Sequence, residues 1–125
     1  MFSYRHAFHA GNHADVLKHY VLTLVLAYVK QKEKPFWYID THAGACLYSL
    51  TEGYATQNAE FEQGIAKLMK AENLPKPLAD FVACIKHHNP SGLRFYPGSP
   101  IIAQDFLRAT DKMRLLNCTR TTASC

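Results

Sequence analysis

One short run of aromatic and β-branched residues constrains the fold of this chain most. Residues 36–40 (Phe-Trp-Tyr-Ile-Asp) are typical of a buried strand, and a loop of small residues, 41–45, follows directly. Helical patterns lie on both sides of this strand, and residues 112–116 are a candidate second strand. Because helices and strands alternate in this order, the sequence predicts an α/β fold around a parallel sheet.

The helix before this strand is predicted to begin near His13. Asn12 is a suitable N-cap, and Asp15 in the first turn suits the positive end of the helix dipole. Pro35 prevents the helix from continuing. Helical spacing gives this segment an apolar stripe made of Val16, Leu17, Tyr20, Val21, Leu24, Val25 and Tyr28.

Helical spacing returns after the strand, in two pieces between residues 58 and 88 that are separated by residues 73–75. A turn at residues 89–92 follows, and a second turn lies at residues 97–98. Ser99 is the predicted N-cap of a further helix, with Pro100 at its first position.

The loop after Asp40 has the shape of a nucleotide-cofactor loop. Small residues there let backbone N–H groups approach a ligand closely, and the acidic residue can position the loop or contact a ligand amine. The loop contains one glycine, Gly44, and Cys46 stands where a second would be expected. A plain strand-to-loop turn accounts for the same residues, so both interpretations stay open.

Histidines are concentrated at the N-terminus, at His6, His9, His13 and His19. His9 and His13 could share a helical face and hold zinc, but no cysteine or acidic pair completes a tetrahedral set. We therefore expect no metal. The segment of residues 4–9 suits an arm that stacks on RNA bases, and an aromatic plug over the sheet edge is the alternative.

Charge and hydropathy narrow the class of protein. A net charge of +4 permits nucleic-acid binding without demonstrating it. The longest apolar stretch, residues 21–29, is interrupted by Thr23 and is too short to span a bilayer. The N-terminus lacks the apolar run of a secretory signal. We expect a cytoplasmic protein with no membrane partner.

Several blocks of sequence, taken together and in order, resemble the ribosomal RNA large subunit methyltransferase J family. They are residues 3–6 (Ser-Tyr-Arg-His), 9–19, 34–36, 40–45 (Asp-Thr-His-Ala-Gly-Ala) and 95–100 (Phe-Tyr-Pro-Gly-Ser-Pro). The resemblance covers residues 1 to about 115. It implies a Rossmann-like methyltransferase domain in residues 1–46 and 94–115, with a small helical insertion at residues 47–93.

The resemblance also implies an activity, a cofactor and a substrate. Members of the family transfer a methyl group from S-adenosylmethionine to the exocyclic N6 of an adenine in 23S rRNA, here expected in its protein-free or early-assembly form. His19, His42 and Ser99 fall on cofactor-contacting positions. Tyr4 falls on a position that meets the RNA, with His6 and Lys18 as helpers nearby.

This chain departs from the family at three places. The family's Asp-Pro-Pro-Tyr motif is absent from the 125 residues, so no catalytic residue is predicted in them. Asn117 stands at about the position of a ribose-binding glutamate. Cys46 replaces the second loop glycine, and if that position needs a positive φ, cysteine costs on the order of 1 kcal/mol and crowds the cofactor.

The resemblance ends after Leu115. Codons allowed for residues 116–122, read in a shifted frame after one base is restored, can spell the family's continuation, Thr-Glu-Leu-His-Pro-Asn-Asp. We therefore expect residues 116–125 to be a disordered, frameshifted tail on a truncated chain without turnover. Half a parallel sheet would expose strand edges and apolar faces, which favours aggregation. The alternative is a non-catalytic module that binds RNA or external DNA.

Overall fold

The computed structural model describes residues 6–51 and 59–119, so the predicted RNA contact Tyr4 lies outside the described residues. The helices and strands of this part are numbered in chain order. They are α1 (His13–Lys30), β1 (Trp37–Asp40), β2 (Leu47–Ser49), α2 (Ile65–Met69), α3 (Lys76–His87), β3 (Phe95–Pro97), α4 (Ser99–Phe106) and β4 (Lys112–Leu115). Two 3₁₀ turns, His6–Phe8 and Glu60–Gln63, precede α1 and α2.

Helix α1 begins where the sequence predicts. The side chain of Asn12 accepts a hydrogen bond of 2.8 Å from the backbone N–H of Asp15, so the predicted N-cap is confirmed. The helix ends at Lys30 with Gln31 as its C-cap, before Pro35. Within the described residues, no helix is both long enough and apolar enough to span a bilayer.

The predicted parallel pairing is confirmed. Strand β1 lies parallel to β4, with Trp37 opposite Lys112 and Asp40 opposite Leu115. A second pairing was not predicted: β2 lies antiparallel to β3, with Ser49 opposite Phe95. The carboxyl ends of β1 and β4 meet at one edge of the parallel pair, and the loop of residues 41–46 leaves from this edge.

The prediction that β1 is a buried strand is wrong on one face. Trp37 and Ile39 alternate with half-buried residues and are each 58% exposed. Among the described residues the parallel sheet has two strands, and the Arg114 guanidinium lies over the ring of Trp37, 5.7 Å from its centroid. No described helix or strand covers the apolar surface of Trp37 and Ile39. The expectation of an exposed apolar sheet face is therefore confirmed.

Helix α1 buries a polar face. Its buried residues are Asp15, His19, Thr23 and Leu26, which follow one another at helical spacing. Most of the predicted apolar stripe is exposed instead, namely Leu17, Val21, Leu24, Val25 and Tyr28. Val16 and Tyr20, at the edge of the stripe, pack against the core. His19, a predicted cofactor contact, lies on the buried face.

The core lies between residues 6–12, called the N-terminal arm below, α3 and the β2–β3 pair. Its fully buried members are Ala10, Leu50, Ile65, Phe81, Ile85 and Tyr96. The backbone of Gly64 packs directly on that of Gly11, because a Cβ at residue 64 would overlap the Gly11 carbonyl oxygen. Ile65 N–H donates to the same carbonyl at 2.9 Å. The segment that carries α2 thus holds the arm in place.

The helix after β3 starts one residue away from the prediction. Gly98 is the N-cap of α4, and Ser99 is already helical. The Ser99 hydroxyl makes no cap, since it donates to the carboxylate of Asp40. The prediction of Ser99 as N-cap is therefore wrong, and the side chain is instead turned toward the end of β1.

One pair of substitutions tests which face of α1 is buried. We expect Leu26→Ala to lower the free energy of unfolding by about 2–5 kcal/mol, because Leu26 is 3% exposed and its truncation leaves a cavity. Leu24→Ala, on the same helix at 42% exposure, should change it by less than about 0.5 kcal/mol. Urea unfolding followed by circular dichroism measures both. Equal losses in the two variants would contradict this orientation of α1.

Candidate functional site

The carboxylate of Asp40 organises the carboxyl end of β1. Its Oδ2 atom accepts hydrogen bonds from Tyr38 Oη at 2.8 Å and from Ser99 Oγ at 2.5 Å. Its Oδ1 atom accepts from the backbone N–H of His42 at 3.1 Å. Burial and the neighbouring Asp40 raise the pKa of Tyr38, so Tyr38 keeps its proton and stays a donor. Asp40 therefore joins the strand, the following loop and the start of α4.

Backbone N–H groups of the loop donate hydrogen bonds to other parts of the protein. The N–H of Ala43 donates to the Leu116 carbonyl at 3.0 Å, and that of Gly44 donates to the Asn117 carbonyl at 3.2 Å. The N–H of Ala45 donates to Tyr48 Oη at 3.0 Å. The sequence suggested these amides as ligand contacts. In this structure they hold the loop in shape.

The small residues of the loop serve close packing. Gly44 has φ +64°, and a Cβ there would lie 2.7 Å from Tyr48 Oη. A Cβ at Gly98 would overlap the carbonyl oxygen of Ala45. Cys46 is buried and is not among the described residues with positive φ. The strain anticipated from cysteine at this position is therefore absent.

Residues 116–119 continue β4 alongside the loop. In addition to the backbone bonds from Ala43 and Gly44, Thr119 N–H donates to the Gly44 carbonyl at 2.9 Å. The Asn117 side chain donates to the Thr41 carbonyl at 2.8 Å. The expectation of disorder in the tail is wrong for these four residues, and residues 120–125 lie outside the described part.

A second polar centre lies around the buried carboxylate of Asp15, which is 1% exposed. Its Oδ2 atom accepts from the Gly11 N–H at 2.9 Å and pairs with His6 Nε2 at 3.0 Å. Its Oδ1 atom has no hydrogen bond of good geometry, and it lies 3.4 Å from Lys18 Nζ and 3.5 Å from His19 Nδ1. Burial raises the pKa of Asp15, but His6, His19 and the Gly11 amide outweigh it and lower the pKa below its usual value.

His19 is buried and neutral. Burial lowers the pKa of His19 to about 4, against the opposing charges of Asp15 and Asp40. His19 Nδ1 and Tyr96 Oη share a hydrogen bond of 2.8 Å. Tyr96 is itself fully buried.

Tyr48 connects the two centres. Its hydroxyl accepts from the loop at Ala45, and its ring meets the edge of His6 with ring centroids 5.1 Å apart. The described candidate residues therefore form two linked groups. His6, Lys18 and His19 surround Asp15, while His42 and Ser99 are gathered by Asp40.

Sequence reasoning missed the residues that hold these groups together. The signal for Asp15 was its spacing of four from His19 on one helical face, and that for Tyr38 was its spacing of two from Asp40 on one strand face. Tyr48 and Tyr96 gave no local signal, because Tyr96 lies 77 residues from its partner His19 in the chain.

The comparisons with known proteins identify the family. The sequence model of "Ribosomal RNA large subunit methyltransferase D, RlmJ" matches residues 33–122. The chain belongs to this family. It is 51% identical over 116 residues to "Ribosomal RNA large subunit methyltransferase J" of Escherichia coli (strain K12) and 48% identical over 117 residues to the protein of that name from Haemophilus influenzae. Each match covers 92% of this chain.

The shared part is the N-terminal portion of longer proteins. The matches cover 41% and 42% of the two curated relatives, so this chain spans about two fifths of their length. The crystal structure of protein LPL1258 from Legionella pneumophila superposes with a TM-score of 0.77 at 41% identity, covering 85% of this chain and 39% of that one. The predicted fold, the N-terminal portion of an α/β methyltransferase, is therefore confirmed.

The buried His19 predicts a specific dependence of stability on pH. Between pH 4 and 6.5, a histidine with a depressed pKa is neutral in the folded state and protonated in the unfolded state. The contribution of His19 to the free energy of unfolding is therefore complete above pH 6.5 and is lost as the pH falls toward 4. Between pH 7 and pH 5 we expect a loss of about 2 kcal/mol from this residue alone. Urea unfolding at both values measures it.

A matched pair of variants isolates this contribution. His19→Gln removes the titrating group and should flatten the change between pH 7 and pH 5. His87→Gln, at an exposed position on α3, should keep the full change. If His19→Gln has the same pH dependence as the parent chain, His19 is protonated in the folded state and the burial argument fails.

Proposed function

We propose that this chain provides the cofactor-binding part, and a portion of the RNA-contacting surface, of an enzyme that methylates the N6 atom of an adenine in 23S rRNA. S-adenosylmethionine is the proposed methyl donor, and the cytoplasm is the proposed compartment. The proposed substrate is rRNA that is free of protein or at an early stage of assembly. Membership of the family supports the class of reaction.

The observation that carries this proposal is the convergence of Asp40, His42 and Ser99 at the carboxyl ends of β1 and β4. Ligands of open α/β sheets bind in the crevice outside the carboxyl ends of the strands. Two unrelated segments, the loop after β1 and the start of α4, are brought together there by one carboxylate. A plain strand-to-loop turn needs no such link to α4.

The donor set suits a cationic ligand that carries an amine. Asp40 supplies negative charge. The Ser99 hydroxyl donates its hydrogen bond to Asp40, so its oxygen lone pairs can accept a hydrogen bond from an N–H of the ligand. His42 is exposed at the loop, with its Nδ1 atom hydrogen-bonded to Thr41 Oγ1 at 2.9 Å. S-adenosylmethionine combines an ammonium and a sulfonium, and when bound it supplies the activated methyl group.

The proposed RNA side lies at the other polar centre. His6 is held by Asp15 Oδ2, and Lys18 extends into solvent with its side chain 62% exposed. An exposed lysine beside a fixed histidine suits contact with phosphate and with an unstacked base. Tyr4 is proposed to act with them. The adenine amine is a weak nucleophile, so the complete site must align its nitrogen with the methyl group. Because the base is stacked in RNA, the site must also extrude it.

Cofactor binding tests the proposal directly. Isothermal titration of the chain with S-adenosylmethionine should show one site. We expect Asp40→Asn to weaken binding by roughly 10- to 100-fold, the equivalent of one charged hydrogen bond. Asp80→Asn, the same substitution at an exposed carboxylate paired with Lys76 on α3, should leave binding unchanged. Absence of heat with the parent chain, or equal binding in both variants, contradicts this site.

A second measurement separates binding from turnover. The 125 residues contain no Asp-Pro-Pro-Tyr motif, so we expect the chain on its own to transfer no methyl group. Incubation with radiolabelled cofactor and 23S rRNA transcripts should give no counts in the RNA above a no-protein blank. Labelled RNA would show that other residues of this chain position the adenine. Binding of RNA or DNA without binding of the cofactor would favour the non-catalytic module instead.

A further inference from the structure

A third cluster of polar side chains lies away from both centres, between α3 and α4. Cys84 is in α3, His88 is the C-cap of that helix, and Asp105 is near the end of α4. The Cys84 Sγ atom lies 3.5 Å from Asp105 Oδ2, and His88 Nε2 lies 2.8 Å from the same oxygen. One donor atom from each residue lies within 4.8 Å of the other two.

We propose that Cys84, His88 and Asp105 form a binding site for Zn²⁺. A thiolate, an imidazole and a carboxylate are the three kinds of side chain that bind zinc in proteins. Mg²⁺ and Ca²⁺ prefer all-oxygen sites, so the sulfur and nitrogen donors disfavour them. The proposal is independent of the proposed function, since it uses none of the residues assigned to cofactor or RNA.

The distances fit zinc with small side-chain adjustments. Tetrahedral coordination with ordinary bond lengths places a ligating sulfur and oxygen about 3.6 Å apart, and a ligating nitrogen and oxygen about 3.4 Å apart. The Cys84–Asp105 separation of 3.5 Å already agrees. The His88–Asp105 separation of 2.8 Å would lengthen as the ion replaces the hydrogen bond.

Access and spacing also suit an ion. The side chains of His88 and Asp105 are 21% and 31% exposed, so zinc can enter from solvent without unfolding the helices. Cys84 and His88 are separated by four residues and therefore lie on one face of α3. Three protein ligands leave a fourth position for water. The bound ion would fasten the end of α3 to α4, the helix that begins at Ser99.

This site was not predicted from the sequence, which gave no expectation of metal. The third ligand, Asp105, lies 17 residues from His88 and 21 residues from Cys84 in the chain, so the three residues do not form a short sequence motif. The same three side chains can also form a metal-free hydrogen-bonded group that ties the helices together. Metal titration distinguishes the two arrangements.

The experiment is a titration of the chelator-treated chain with Co²⁺, a spectroscopic substitute for Zn²⁺, under argon. We expect a thiolate-to-cobalt charge-transfer absorption that saturates at one equivalent and is displaced by Zn²⁺. Since loss of even an outer-sphere partner weakens metal binding by about 10- to 100-fold, Cys84→Ser and His88→Gln should each weaken it at least as much. Cys84→Ser should also abolish the charge-transfer band.

Two controls use residues of the same type outside the cluster. Cys118→Ser removes an exposed thiol, and His87→Gln removes the histidine next to His88. Both should keep the band and the affinity. Zn²⁺ should also raise the melting temperature of the parent chain but not of His88→Gln. Absence of the band in the parent chain, or its persistence in Cys84→Ser, overturns the proposal. If Cys84→Ser does not fold by circular dichroism, unchanged affinity in His88→Gln overturns it.

Discussion

The described structure depends most on the burial of one carboxylate, Asp15. Removing an ion from water costs several kcal/mol even after the protein relaxes, so a buried charge persists only where its partners are fixed. Gly11 and His6 bind one oxygen of Asp15, and Lys18 and His19 lie beside the other. These partners come from the arm and from α1. The need to satisfy one charge therefore helps to fix residues 6–12 against α1.

The same constraint explains why α1 turns a polar face inward. Asp15, His19 and Thr23 lie on one face, and Tyr96 from the core shares a hydrogen bond with His19 there. Hydrophobic periodicity shows which residues share a helix face, but it does not show which face packs against the rest of the protein. Leu24 and Val25 share the apolar face and are exposed, because no described element packs on them.

Local rules predicted the parts of the fold that local forces decide. Asn12 caps α1 because its side chain reaches an amide three residues away, and β1 and β4 were evident from their composition. The site was predictable only in part. The loop after Asp40 was found, but the partner of Ser99 is 59 residues away, so its hydroxyl was mistaken for a cap. Contacts of that length depend on the complete fold.

The loop after β1 shows how this chain differs from a phosphate-binding loop. Where a glycine-rich loop offers free backbone amides to a ligand, the amides of His42, Ala43 and Gly44 are already bonded within the protein. The loop's shape is therefore fixed without a ligand, which would lower the entropy lost on binding of the proposed cofactor. In the function proposed above, selectivity would rest on the carboxylate of Asp40 and the Ser99 hydroxyl bonded to it. A negative centre of this kind favours a cationic ligand over a phosphate, because an anion at the same place would meet like charge.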